Sequence, residues 1–369
     1  MAAEVWYRNY ETLRAKVLEL KENFGSKCQS LALEPKQIEA EIRRELISRA
    51  VHESNWQEGI ELDGGRTKEL ANYAFDDIEN VEGPHLDMNK ILKFHRDVVI
   101  KLKRKGASRE DLAAYNLAKA HAAIDLVATE LMRRQNASLI YALKGLQSLL
   151  PELQQKIPPE ALKTIQRGFE LIDEIEGDEA PLGVPMTASA ESIGQLSKKL
   201  TDLPFDSLLN PMRTAYVHFF HKLVLMGIMP IGRCGSFRKT PVHVGNPNVF
   251  FPVPSAVPKL MAEYCLRFPT ILPSTVTFDP IMEAARASYR FVCVHPYADG
   301  NGRVSRVIMN LVLWGHFPPV YLKADRKGRH RYGYALGRAD RGDLTPLASL
   351  IAMSLIEIYE RILGTLEIR

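Results

Sequence analysis

At 369 residues, with 46% apolar and 25% charged content, the chain can build two or three structural units around a real core, which excludes a disordered or disulfide-stapled protein. A formal net charge of +4 is small at this length and argues neither for nor against a nucleic-acid partner. Cys28, Cys234, Cys265 and Cys293 show neither CxxC nor metal-ligand spacing. The opening MAAEVWYRNYETLRAK holds no apolar stretch of signal-peptide type, so a reduced, cytoplasmic chain without a membrane span is expected.

Trp6, Tyr10, Leu13, Val17 and Leu20 recur at helical spacing and predict an opening amphipathic helix, with a second over about 34–54. A third follows Gly64 and Gly65, Gly83-Pro84 punctuates, a fourth covers about 89–105, and Ser108 with Asp111 reads as a capping box opening a helix through Leu131. Residues 1–131 therefore read as an N-terminal helical region. Over 132–206 a helical insert is expected: Pro151 and Pro158-Pro159 divide two helices, the second with Leu162, Ile165, Phe169 and Ile172 on one face, and the stretch from Gly177 to Pro185 reads as a linker.

Residues 207–369 read as the core, starting with an apolar helix from Ser207 to Met226. Alternating runs from Thr240 to Val253, joined by Gly245 to Asn248, read as a single β-hairpin, the centre of a segment 238–254. Then come an apolar helix from Pro280 to Val294, one from Val304 to Trp314 that is apolar nearly all round and hence buried, and a closing helix from Pro346 to Leu366. The fold class is mainly α with one β-hairpin. No repeat, low-complexity tract or heptad run interrupts it.

Between two of these apolar helices lies HPYADGNGRVSR, His295 to Arg306. Gly300, Asn301 and Gly302 let backbone amides approach an anion at the N-terminus of the following helix. Arg303 and Arg306, three apart, project from one face as forked phosphate donors. Asp299 is an oxygen ligand for a hard divalent cation such as Mg2+, and His295 is the natural proton acceptor. An Asn-Gly turn with an incidental histidine is the bland competitor. Cys293, two residues before His295, invites a nucleophile reading but sits in an apolar run and reads as a packing residue. The basic cluster Asp325 to Arg331 reads as a solvated loop more readily than as a phosphate site.

This run resembles the Fic (fido) signature HxFx[DE]GNGRxxR, with Tyr297 where Phe is usual. The resemblance implies a Fic-fold helical core with the hairpin as a flap over the active site. It implies a protein adenylyltransferase that moves AMP from Mg-ATP to a Tyr, Thr or Ser hydroxyl. His295 would be the base, Asp299 the Mg2+ ligand, and Gly300, Asn301, Gly302, Arg303 and Arg306 the phosphate cradle, with an Asn301 side-chain donor and Arg306 on the γ-phosphate. Tyr332 would line the adenine pocket, although Gly333 and Asp340 depart from the family pattern there. Val242, His243 and Val244 of the flap would either hold the target by strand-like pairing or form only a lid. Upstream, Ser54, Glu58 and Gly59 fit the family's inhibitory motif [ST]xxxE[GN], which implies Glu58 pairing with Arg306 in cis. The implied partners are ATP and a target protein with an accessible hydroxyl; a homo-oligomer is left open. Removal of AMP, with Glu58 positioning a water, and a catalytically silent nucleotide binder are the alternatives.

Overall fold

Pro35 at the first turn, Asp87, Ser108 and Asp279 at N-caps, and glycine or proline just past helix ends divide this chain into helices. The computed structural model describes residue 7 and residues 9–79, 86–134, 212–244, 249–269 and 278–367. Its helices are α1 Tyr10–Ser30, α2 Pro35–Gln57, α3 Gly64–Glu79, α4 Met88–Arg104, α5 Arg109–Ala122, α6 Thr214–Leu225, α7 Val257–Leu266, α8 Pro280–Val294, α9 Asn301–Leu313, α10 Arg326–Ala339 and α11 Thr345–Glu367. Residues 1–129 with 212–369 form one compact unit and 130–211 another, of which only 130–134 are described. The expected helices and linker between 137 and 211, together with Trp6, Gly83-Pro84 and the turn 245–248, lie outside the described residues.

The caps do what their chemistry requires. Asp111 N–H donates to Ser108 Oγ and Ser108 N–H to Asp111 Oδ2, both at 3.0 Å, so two orphan amides are satisfied reciprocally. Asp279 caps α8 by accepting from the amides of Ile281 and Met282, and its other oxygen takes the Tyr10 hydroxyl at 2.7 Å, tying α1 to the start of α8. The helix after Ser108 does not run unbroken to Leu131. It breaks at Ala123 and resumes over 124–134.

α9 is the axis of this unit. Every one of its residues except Gly302 is buried, and α8, α6, α5 and α2 all contact it. Burying one large apolar side chain is worth roughly 1.5–3 kcal/mol, so α9 is a stiff mount for whatever its N-terminus carries. α1 lies along α11, with Val17, Leu20, Phe24 and Cys28 turned inward.

The flap departs from the expected hairpin. Among the described residues no strand forms; the only bridge is an isolated one between Met226 and Met229. Residues 240–244 and 249–253 carry no ladder, and Val242, His243 and Val244 stand on an unpaired arm. Pro241 and Pro252, one in each arm, have no N–H to donate, which suits neither arm to a regular ladder.

Candidate active site

α8 ends because Pro296 cannot continue it, and the residue that absorbs the stop is His295, in the left-handed region at φ 48° and ψ 57°. The only other described non-glycine residue at positive φ is Ala32. His295 Nδ1 lies 3.3 Å from the Val292 carbonyl, an acceptor only, so Nδ1 carries the proton and Nε2 is left as a base. Phe251 stacks on the ring at 4.0 Å. Burial, above all, lowers the His295 pKa below its usual value.

Gly300, at φ 79°, starts α9 without a side-chain cap; a methyl there would press into Leu225. The first intrahelical bond is donated by Val304, which leaves the amides of Asn301, Gly302 and Arg303 at the open, positive end of the helix. The Asn301 side chain holds the loop: its Oδ1 accepts from the Tyr297 amide at 3.0 Å and its Nδ2 donates to the Tyr297 carbonyl at 2.8 Å, which uses one of the two Nδ2 hydrogens. Asp299 Oδ1 accepts from Gly300 N–H at 2.6 Å and from Arg303 Nη2 at 3.3 Å, while the side chain stays 42% exposed.

The two arginines differ. Arg303 is almost completely buried, and its Nε and Nη1 have no hydrogen-bond partner. Burial works against its charge, so unpartnered guanidinium donors here are costly unless an anion meets them. Arg306 is engaged through Nε and Nη2. Its Nε donates to Ser54 Oγ at 2.6 Å, and its Nη2 donates to the Ser54 carbonyl at 3.0 Å and to Glu58 Oε1 at 2.6 Å.

Glu58 reaches that position because α2 stops there. Gly59, at φ 73°, follows as the left-handed C′ residue, and its own amide and that of Ile60 close back on Trp56 and Asn55. The end of α2 is docked on the segment before α10: Glu53 accepts from the Ala324 amide at 2.6 Å and Gln57 Nε2 donates to the Lys323 carbonyl at 3.0 Å. Gly302 makes room for the carboxylate, since a methyl there would overlap Glu58 Oε1. A carboxylate thus stands at the N-terminus of α9 where a phosphate oxygen would be received. Tyr332 lies against this end, close to Ser305 and Arg306, its pKa raised first by burial.

Three residues not singled out in the sequence complete the site. Buried Arg238 donates through Nε to the His295 carbonyl at 2.7 Å, through Nη2 to the Pro252 carbonyl at 2.5 Å and through Nη1 to that of Thr240 at 3.3 Å. One guanidinium therefore joins both flap arms to the histidine, in place of a ladder. His221 touches the Asp299 carbonyl, and His218 Nδ1 meets the Tyr297 hydroxyl at 2.8 Å. A histidine pair at i and i+3 in the apolar run of α6 was the available signal. Cys293 is half-buried and its thiol pKa is pushed up by burial, which suits packing rather than nucleophilic work.

Among the described residues no cluster of three or more His, Cys, Asp or Glu side chains could hold a metal, and no helix is long and apolar enough to cross a membrane. One exposed carboxylate beside an anion cradle fits Mg2+ held jointly with phosphates, which needs few protein ligands.

Residues 211–313 match the Fic/DOC family. Over 175 residues the chain is 34% identical to Protein adenylyltransferase fic-1 of Caenorhabditis elegans, covering 47% of this chain and 31% of that protein. Over 135 residues it is 37% identical to Protein adenylyltransferase Fic of Culex quinquefasciatus, covering 36% and 25%. The chain thus spans about a quarter to a third of the length of these curated relatives. A Fic domain containing signaling protein from Bacteroides thetaiotaomicron superposes with a TM-score of 0.53 at 15% identity, over 95% of this chain and 98% of that one, a likeness of fold.

Proposed function

We propose that this chain, whose residues 211–313 match the Fic/DOC family, is a protein adenylyltransferase using Mg-ATP, held back by its own helix α2. The observation that supports the reading most is Arg303: a buried guanidinium with two unpartnered donors, beside an uncapped helix N-terminus and a histidine base. The hydroxyl oxygen of a target Tyr, Thr or Ser attacks the α-phosphorus of ATP, the bond to pyrophosphate breaks, and the hydroxyl proton passes to His295 Nε2. The C-terminus of α8, where His295 sits, favours the imidazolium so formed. The amides of Asn301, Gly302 and Arg303 receive charge on the phosphoryl oxygens, and Arg303 holds the β-phosphate. When bound through Asp299, Mg2+ neutralises charge on the phosphates. With pyrophosphate as leaving group, positioning contributes more than acid catalysis.

Arg306 belongs to the γ-phosphate in this reading, and Ser54 and Glu58 occupy it instead. An arginine with three filled hydrogen bonds in a nearly closed site is unavailable to a phosphate, so ATP sits with its tail displaced. A second reading is removal of AMP, with Glu58 orienting a water. It is favoured by a carboxylate still 28% exposed and within electrostatic reach of His295.

ATP labelled at the α-phosphate or at the γ-phosphate separates the chemistries. The expected result is protein-bound label from the first only, absent in His295→Ala, which still binds ATP. Label from γ-phosphate, or undiminished labelling in His295→Ala, overturns the assignment.

A further inference from the structure

His221 is fully buried on the face of α6 that looks at the catalytic loop, and both ring nitrogens are used. The Gly235 amide donates to Nδ1 at 2.7 Å. That contact makes Nδ1 an acceptor, so the proton is on Nε2, which donates to the Asp299 backbone carbonyl at 3.0 Å. The face of the ring lies on Tyr297 at 3.7 Å, nearly parallel, and Tyr297 is fixed in turn by His218. Protonation would set two N–H groups against each other at Gly235, so this geometry fits the neutral ring with its proton on Nε2.

What the bridge joins is informative. At one end is the backbone of the carboxylate that would hold the cation. At the other is Gly235, three residues before Arg238, at the root of the flap. Asp299 Oδ1 is already taken by Gly300 N–H, so the direction of the remaining oxygen depends on where this short stretch of backbone is held, and His221 is the side chain that holds its carbonyl. Ligand-orienting partners of this kind commonly tune metal affinity although they never touch the ion.

We infer that His221 is a positioning residue that sets the Asp299 backbone for cation binding and ties it, through Gly235, to the root of the flap. The inference rests on the transferase reading of the site. A glutamine amide reaches roughly where Nε2 lies and an asparagine amide roughly where Nδ1 lies, so the two variants dissect the bridge. In a Glu58→Gly background, His221→Asn loses the donor to Asp299 and raises the Mg2+ concentration for half-maximal labelling about threefold to tenfold, the worth of one hydrogen bond. The maximal rate recovers at saturating Mg2+. His221→Gln keeps that donor and stays within about twofold of its parent. The same order is expected for Mn2+ binding in the presence of a non-hydrolysable ATP analogue, read by electron paramagnetic resonance. Equal half-saturation in all three proteins overturns the inference, and so does an equal shift in both variants, which marks a general packing loss. If the parent fails to label at all, the transferase reading falls and the manganese arm still decides the role of His221.

Discussion

The N-terminus of α9 presents two buried arginines three residues apart, and they live in opposite circumstances. Arg306 donates three hydrogen bonds to Ser54 and Glu58, whereas Arg303 keeps two buried donors with no partner. The same helix end thus carries one engaged arginine and one with unpartnered donors. Buried donors left without a partner cost free energy, so the two arginines load this end of the helix differently. Three residues on, the chain supplies its own carboxylate to Arg306 through Glu58, which in the proposed reading limits access to the cradle.

The contrast can be broken most severely at Arg303. Arg303→Met should weaken ATP binding at least about 100-fold by calorimetry, the loss of two charge-assisted hydrogen bonds at roughly 1.5–3 kcal/mol each. The melting temperature should hold or rise, because a buried guanidinium with two unpartnered donors and one contact to the half-exposed Asp299 is replaced by an apolar side chain. Retained binding would show that the unpartnered donors of Arg303 do not serve ATP. Next is the filled side. Ser54→Ala removes the partner of Arg306 Nε but leaves Glu58, so labelling should rise about threefold to tenfold over the unaltered protein. No rise would place the whole effect on the carboxylate. Smaller again is Gly59→Ala, which asks a methyl-bearing residue to sit at φ 73°. A strain of about 1 kcal/mol loosens the end of α2 and raises labelling by no more than about fivefold.

The smallest expected effect is in the pH profile. Burial lowers the His295 pKa, so the acid limb of the rate lies below the ordinary 6.5, the neutral base surviving to lower pH. Glu58 opposes that shift, so the limb in Glu58→Gly should lie lower still. Stability follows the same sign at His95 and His121, both pushed to about 3 by burial. Above 6.5 both states are neutral; below it the unfolded chain takes up protons that the folded chain refuses. Stability is therefore lost progressively as pH falls from 6.5 toward 3, measurable by thermal melts across that range.

Much of this could be read from the sequence, and the boundary falls along a physical line. α8 and the start of α9 follow from apolar periodicity, Pro280, Pro296 and Gly300, all local signals. The meeting of Glu58 with Arg306, 248 residues away, was accessible only because two short motifs require each other's chemistry. Apart from the spacing of His218 and His221, nothing in the sequence points to the contacts of Arg238, His221 or Asn301, because each is decided by which backbone carbonyl or amide a buried side chain finds in three dimensions. The flap misled for a related reason. Its alternation is that of a strand, but Pro241 and Pro252 lack the donors a ladder needs, and the arms are joined through one guanidinium instead.

The most direct measurement is the initial rate of label transfer from α-labelled ATP by Glu58→Gly against the unaltered protein, at equal protein and saturating Mg2+. Release of Arg306 from its carboxylate predicts a rise of at least about tenfold, the worth of one charge-assisted hydrogen bond. Equal rates, with both proteins binding ATP alike, would contradict the account that Glu58 and the γ-phosphate compete for one arginine.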